Sequence, residues 1–257
     1  MHRSVSTWSE LATVWPGDYN FMMAGECLPF SFDLPPLAQV VDELRADDEA
    51  RITPGRRTEG LDMEDIAARF RATPIEEAMR QPFSLGHFNL PRFYGAGQLF
   101  EGFEQQVMDP WRSALSAAGF TWSRCYPIVF ISGAGCLTGY HMDHSTVIAW
   151  QRFGTKRFVG LTEPRRFAGR ETRKAFTKEG IGAVVRPESM TADDELAYVM
   201  SPGDLLWNVI HTPHWVEAGD EPSMSINISH GGLRLHGRLH PLEAELEAIR
   251  EELAGSA

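Results

Sequence analysis

The sequence contains few cysteines and none of the spacings that cysteine chemistry uses. Cys27, Cys125 and Cys136 are the three cysteines of 257 residues, and no two of them form a C-x-x-C pair. An odd, sparse set of this kind is typical of reduced thiols, whereas disulfide frameworks use even numbers of cysteines. The sequence therefore favours the reducing environment of the cytoplasm over a disulfide-bonded scaffold.

Long apolar stretches and excess basic charge are also missing. No apolar run approaches the ~20 residues that a membrane-spanning helix needs, and the N-terminus lacks the apolar core of a signal peptide. The 24 Lys and Arg against 35 Asp and Glu give a formal net charge of −11. Because nucleic-acid binding depends on a positive surface that neutralises phosphates, this balance argues against such a partner. We expect a cytoplasmic protein that acts on a small molecule or a protein, without membrane or nucleic-acid partners.

The N-terminal half favours helices, in a chain whose length fits one all-β barrel with helical additions. Apolar residues recur at helical spacing in residues 36–45, and residues 62–71 repeat this pattern with acids in the first turn. Residues 98–118 predict one helix or a pair that Pro110 interrupts or restarts. The charged segment 47–60 is expected to be a surface loop or an edge strand.

From residue 123 onward the pattern changes to short strands. Turn signals recur about every 8–12 residues, which is typical of a sandwich or a closed antiparallel barrel. The predicted strands are residues 126–132, 146–150, 156–161, 196–200, 204–208, 215–218 and 223–229. With no internal repeat or linker, we expect a single domain over residues 1–257: a helical and mixed part (1–122), a barrel (123–232) and a C-terminal helix (233–257).

The tail repeats leucine or isoleucine at alternating spacings of three and four between Leu239 and Leu253, which predicts a final helix. Two interpretations stay open for its apolar side. The helix packs on its own barrel, or it forms the seam of a homodimer. At about two heptads it is too short to form an independent coiled coil.

A short segment around residue 141 has the residues of a metal site. Side chains two apart in a strand point the same way, so His141 and Asp143 can reach one ion together. A second histidine, His214 or its neighbour His211, follows a Pro-Gly-Asp turn far downstream. Two histidines and one carboxylate leave three metal positions open, as in the facial triad of iron(II) oxygenases. The His-x-Asp pair alone is weak evidence, because such pairs arise by chance.

The order of the surrounding motifs is more specific than the pair. Residues 131–232 resemble the JmjC-type, cupin-like hydroxylases that depend on iron(II) and 2-oxoglutarate. The matching residues, in chain order, are Thr138, His141 and Asp143, Gly154 and Lys156, Pro202 to Asp204, and His214. The resemblance implies a mainly β fold, a double-stranded β-helix (jelly roll) with flanking helices, and hydroxylation of an aliphatic C–H in a peptide, a protein side chain or an amino-acid-like metabolite.

The resemblance also implies roles for single residues. His141, Asp143 and His214 match the metal ligands, since the spacing from the Pro-Gly-Asp turn selects His214 over His211. Lys156 matches the lysine that pairs with the distal carboxylate of 2-oxoglutarate, and Thr138 matches a hydroxyl donor to the same carboxylate. Without the resemblance, two ordinary interpretations stay open: Lys156 is a solvated lysine at a strand end, and Thr138 is an ordinary strand threonine.

The chain departs from the family pattern at Val147, where many members carry an asparagine that contacts the cosubstrate. Asn227, on the last predicted barrel strand, is our alternative source of such a contact. The basic segment 165–186 is interpreted either as a solvated loop or as a site for an acidic substrate. Two other functions stay open: a cupin metalloenzyme that does not use 2-oxoglutarate, and a non-catalytic cupin-like binding module.

Overall fold

The chain combines fifteen short strands with eight α-helices among the residues described by the computed structural model, which are 3–55, 62–180 and 184–255. The strands are β1 (Ser4–Val5), β2 (Phe21–Met23), β3 (Arg51–Thr53), β4 (Ser84–His87), β5 (Phe120–Thr121), β6 (Arg124–Ser132), β7 (Leu137–His141), β8 (Thr146–Phe153), β9 (Lys156–Leu161), β10 (Glu195–Met200), β11 (Leu205–Asn208), β12 (His214–Ala218), β13 (Ser223–Gly231), β14 (Arg234–Leu235) and β15 (Arg238–Leu239). The helices are α1 (Trp8–Val14), α2 (Leu37–Ala46), α3 (Met63–Ala72), α4 (Ile75–Ala78), α5 (Asp109–Ala117), α6 (Pro164–Phe167), α7 (Arg170–Glu179) and α8 (Pro241–Gly255).

Two of the three sheets among the described residues contain strands β6 to β13, and the third joins β5, β14 and β15. The larger has the strand order β1-β2-β11-β8-β13-β6-β4-β3, and the smaller has the order β10-β9-β12-β7. The pairings among β6 to β13 are antiparallel. Side chains from both sheets line one pocket, which therefore lies between them. The chain is mainly β, as the sequence predicts, and its predicted strands are confirmed with ends shifted by a few residues.

The N-terminal half adds four strands, of which the sequence pattern indicated only β3, as one of two alternatives. Strands β1 to β4 extend both ends of the large sheet, although each is only two to four residues long. The charged segment 47–60 contains β3 at the sheet edge, so the edge-strand alternative is correct there, while residues 56–60 lie outside the described residues. Short strands carry too little periodicity to be recognised without their pairing partners.

The predicted N-terminal helices are present. Asp62 caps α3, because its carboxylate accepts the backbone N–H groups of Glu64 and Asp65. The region 98–118 contains a π-helical turn, Glu104–Met108, that continues into α5 with Pro110 in its first turn. One hydrophobic cluster joins N-terminal residues such as Val5 to the sheets and to the C-terminal helix.

The basic segment forms helices and packs on the outside of the small sheet. Phe176 of α7 lies with Met142 in one hydrophobic cluster, and Phe167 of α6 packs against the cluster that contains Trp215. Trp215 follows the predicted ligand His214 in β12, so its side chain points to the opposite face of the sheet, and this cover lies on that face. The solvated-loop interpretation is therefore wrong for α6 and α7.

Helix α8 packs on its own chain, as the first of the two alternatives for the tail predicts. Leu242 and Leu246 belong to the main hydrophobic cluster, and Ile249 is also buried. Ion pairs join α8 to α7, where Arg173 meets Glu245 and Lys174 meets Glu252. In the described parts of the chain, no helix has both the length and the apolar character needed to cross a bilayer.

Candidate metal centre

Three predicted ligands converge at the ends of two neighbouring strands. His141 is the last residue of β7 and pairs directly with His214, the first residue of β12. Asp143 follows two residues after β7. One ligand atom from each of the three residues lies within 4.8 Å of the others. The His141 Nε2 atom is 3.8 Å from Asp143 Oδ1, and the His214 Nε2 atom is 3.5 Å from Asp143 Oδ2.

Backbone carbonyls orient both imidazoles. The Gly139 carbonyl lies 2.7 Å from His141 Nδ1, and the Thr212 carbonyl lies 3.0 Å from His214 Nδ1. A carbonyl can only accept, so each Nδ1 carries the proton and each Nε2 presents its lone pair. Outer hydrogen bonds of this kind fix the tautomer and the ring direction of metal-binding histidines. The donor set of two imidazoles and one carboxylate fits a divalent transition metal.

His214 is neutral at physiological pH. Burial, reinforced by the nearby His141, lowers its pKa to about 4. Its ring stacks on Phe158 with the ring centroids 5.0 Å apart, and 3% of the side chain is exposed. A neutral imidazole in an apolar setting retains the lone pair that a metal needs.

His211 and His144 lie beside the centre without joining it. His211 has a positive φ of 56° and is fully buried, and its backbone N–H donates to the Asp143 carbonyl over 3.1 Å. It therefore supports the loop that carries the predicted ligand Asp143. His144 is exposed and stacks on Phe176 with the centroids 4.1 Å apart. His214, and not His211, lies within reach of His141 and Asp143.

The triad opens into a pocket between the two sheets, with a cavity volume of about 130 Å³. Besides the triad, the lining includes the three predicted cosubstrate residues Thr138, Lys156 and Asn227. Thr138 is exposed on the edge strand β7, whereas Asn227 is half-buried and its Oδ1 atom has no hydrogen-bond partner within the described chain.

Lys156 is the buried cation of this pocket, with 5% of its surface exposed. Its ammonium donates to the Phe130 carbonyl over 3.1 Å and to the Ser225 hydroxyl over 3.2 Å. Burial lowers its pKa to about 8. Sequence reasoning missed Ser225, although it lies two residues before Asn227 and therefore on the same face of β13.

Asn208 is the second residue that sequence reasoning missed. It is 2% exposed and lines the pocket, and its Nδ2 atom donates to Asp143 Oδ2 over 2.9 Å. On the neighbouring strand it pairs with Val147. A polar amide at the end of the apolar strand β11, six residues before His214, was the available signal.

Comparison with known proteins gives a fold but no sequence family. No protein-family model matches the chain, and no curated protein sequence matches it. The solved structures that resemble it include YcfD, a ribosomal oxygenase from Escherichia coli, in complex with cobalt and 2-oxoglutarate. That structure has a TM-score of 0.50 and 15% identity, and the match covers 90% of this chain and 53% of that chain.

Two further structures of the same Escherichia coli protein agree. A crystal structure of YcfD has a TM-score of 0.54 and 15% identity, with 98% of this chain and 68% of that chain covered. The complex with cobalt and succinic acid has a TM-score of 0.52 and 16% identity, with 99% and 59% covered. The chain thus shares the fold of these oxygenases and spans little more than half the length of most of these relatives.

Proposed function

We propose that the chain is an iron(II)- and 2-oxoglutarate-dependent oxygenase that hydroxylates an aliphatic C–H of a peptide, a protein side chain or an amino-acid-like metabolite. The proposal includes the double-stranded β-helix fold, formed by β6 to β13, and one domain over residues 1–257. The likeness to YcfD supports the fold. The shared hydrophobic cluster from Val5 to Leu246 supports the single domain.

One observation carries the proposal: a buried cation without a carboxylate partner among the described residues shares a pocket with a metal triad. No ion pair within residues 3–55, 62–180 and 184–255 includes Lys156. A buried charge is costly unless it is paired. A dicarboxylate held at the metal by one end and at Lys156 by the other would supply the missing charge.

The residues at the two ends of the pocket would have different roles. His141, Asp143 and His214 would hold the metal and leave three positions free. Lys156 and Thr138 would bind the distal carboxylate of 2-oxoglutarate, with Ser225 orienting the ammonium. Asn227, which lines the pocket, would donate to the cosubstrate near the metal through its amide N–H₂ group. Bound iron(II) would supply the oxygen chemistry that couples conversion of 2-oxoglutarate into succinate and CO₂ to hydroxylation.

The test loads the purified chain with iron(II) and supplies 2-oxoglutarate and O₂. We expect succinate to form slowly without substrate and faster with the correct substrate pool, with peptides and free amino acids assayed separately. His141→Ala should bind no metal and form no succinate. His144→Ala, which alters an exposed ring beside the triad, is the matched control and should behave like the parent chain. Succinate no higher than in His141→Ala, with metal bound, would contradict the proposal.

A further inference from the structure

Asn208 contacts two of the three predicted metal ligands. Its Nδ2 atom lies 2.9 Å from Asp143 Oδ2 and 3.3 Å from His214 Nε2. The residue is nearly fully buried, and β11 holds it on one side through its pairing with β8. The position of this amide is therefore set by the sheet and not by solvent.

The chemistry of its neighbours fixes which way the amide points. Asp143 Oδ2 and His214 Nε2 both offer lone pairs and no proton, so only the amide N–H₂ can face them. The opposite atom, Asn208 Oδ1, is buried and has no hydrogen-bond partner among the described residues. An amide turned the other way would place three acceptor atoms against one another.

The imidazoles alone do not determine which oxygen of Asp143 binds a metal. Asp143 Oδ1 is 3.8 Å from His141 Nε2, and Asp143 Oδ2 is 3.5 Å from His214 Nε2, so both oxygens lie near a ligand nitrogen. The hydrogen bond from Asn208 breaks this symmetry, because it engages one lone pair of Oδ2 and makes that oxygen a weaker donor to a metal, while Oδ1 accepts no hydrogen bond from Asn208.

We infer that Asn208 is a positioning residue that holds Asp143 as a one-oxygen ligand through Oδ1. This matters for the open side of the centre, because a carboxylate that binds through both oxygens takes one further position. With Asn208 in place, three positions remain for other ligands. The longer contact to His214 Nε2 is the one that a bound metal replaces. The inference rests on the metal centre of the proposed function, and it concerns how that centre is held.

The experiment measures Co²⁺ binding by calorimetry and the visible absorption spectrum of the Co²⁺-loaded protein. Asn208→Leu removes the N–H donor and nearly keeps the volume, and Asn208→Ala is measured in parallel so that a folding defect in one variant does not decide the result. We expect Co²⁺ affinity to fall by roughly 10–100-fold, as for other outer partners of metal ligands, together with a changed spectrum. Met200→Leu, a volume-conserving change in the same pocket, should leave both unchanged.

A double-mutant comparison separates positioning from general damage. In an Asp143→Ala background, Asn208→Leu should cause no further loss of Co²⁺ affinity, because the residue through which it acts is gone. A Co²⁺ affinity within about twofold of the parent value, together with an unchanged spectrum, would overturn the inference. An equal loss of Co²⁺ affinity in the Asp143→Ala background would also overturn it. If the parent chain itself binds no Co²⁺, the proposed function fails, which is a different outcome.

Discussion

Lys156 and Ser225 meet inside the pocket, where the ammonium Nζ donates to the serine hydroxyl over 3.2 Å. They come from β9 of the small sheet and β13 of the large sheet, so this contact joins the two sheets. The Ser225 hydroxyl carries no negative charge that would stabilise the ammonium, and burial lowers the pKa of Lys156 to about 8. The protonation state of Lys156 therefore changes in an accessible pH range.

Binding of 2-oxoglutarate should weaken above pH 8. A dicarboxylate favours the protonated lysine, so its affinity is highest below the free pKa of about 8 and falls as pH rises through that value. Between pH 7 and pH 9 we expect about a tenfold loss, measured by calorimetry on the Mn²⁺-loaded protein. Lys156→Arg keeps its charge in this range and should show no comparable loss. Equal pH dependence in the two proteins would contradict the assignment.

Removing the lysine should stabilise the unliganded chain. Its pKa falls from 10.5 to about 8 on folding, which corresponds to about 3 kcal/mol against the folded state at neutral pH. Lys156→Met should therefore raise the free energy of unfolding by up to that amount, measured by urea denaturation. Because the penalty is present below pH 8 and disappears toward pH 10.5, the difference should shrink over that interval.

The matched control is Lys178→Met, which replaces an exposed lysine on α7. It should change the free energy of unfolding by less than about 0.5 kcal/mol. A Lys156→Met variant that is less stable than the parent would show that contacts within the chain already stabilise the ammonium, without an anionic ligand.

Asn20 links the N-terminal segment to the metal centre. Its Oδ1 atom accepts the Val209 backbone N–H over 3.1 Å and lies 3.3 Å from the Thr212 hydroxyl. Thr212 in turn presents the carbonyl that orients His214. Asn20→Leu leaves a buried donor unpaired, which should cost about 1–3 kcal/mol of stability and weaken Co²⁺ binding. Gln39→Leu, at an exposed amide on α2, should change neither quantity.

Arg173 should matter for stability and Lys174 much less. Arg173 is 1% exposed, donates to the His211 carbonyl and pairs with Glu245, so its loss removes a buried hydrogen bond and leaves Glu245 with Arg165 as its ion-pair partner. Arg173→Met should lower the free energy of unfolding by about 1.5–3 kcal/mol. Lys174→Met, at a more exposed ion pair with Glu252, should cost under about 1 kcal/mol. Comparable losses in urea denaturation would refute this distinction.

The part of the centre that could be predicted from sequence is the part encoded locally. His141 and Asp143 are two residues apart in one short segment, so the chain itself keeps them close, although Asp143 lies just beyond the end of β7. His214 required the spacing of known hydroxylases, because nothing local distinguishes it from His211. The structure separates these two histidines by backbone conformation, with His211 at a positive φ in the turn and His214 at the start of β12.

Asn208 and Asn20 could not be recognised in this way. Asn208 acquires its contact from the pairing of β11 with β8, and Asn20 acquires its contact across 189 positions of sequence. The same holds for Arg173, whose charge appears available for a substrate in the sequence but is paired with α8 in the fold. Contacts of this range depend on the tertiary arrangement, which periodicity and motif spacing do not contain.

Strand β7 lies at the margin of the small sheet and has β12 as its one strand partner in that sheet. It ends on His141, while His214 belongs to that partner. An ion shared by the two histidines would therefore cross-link the margin strand to its neighbour at the end where the ladder stops. Loading with metal should slow amide hydrogen exchange in residues 137–143 more than elsewhere in the chain. The metal would then also stabilise the edge of the small sheet.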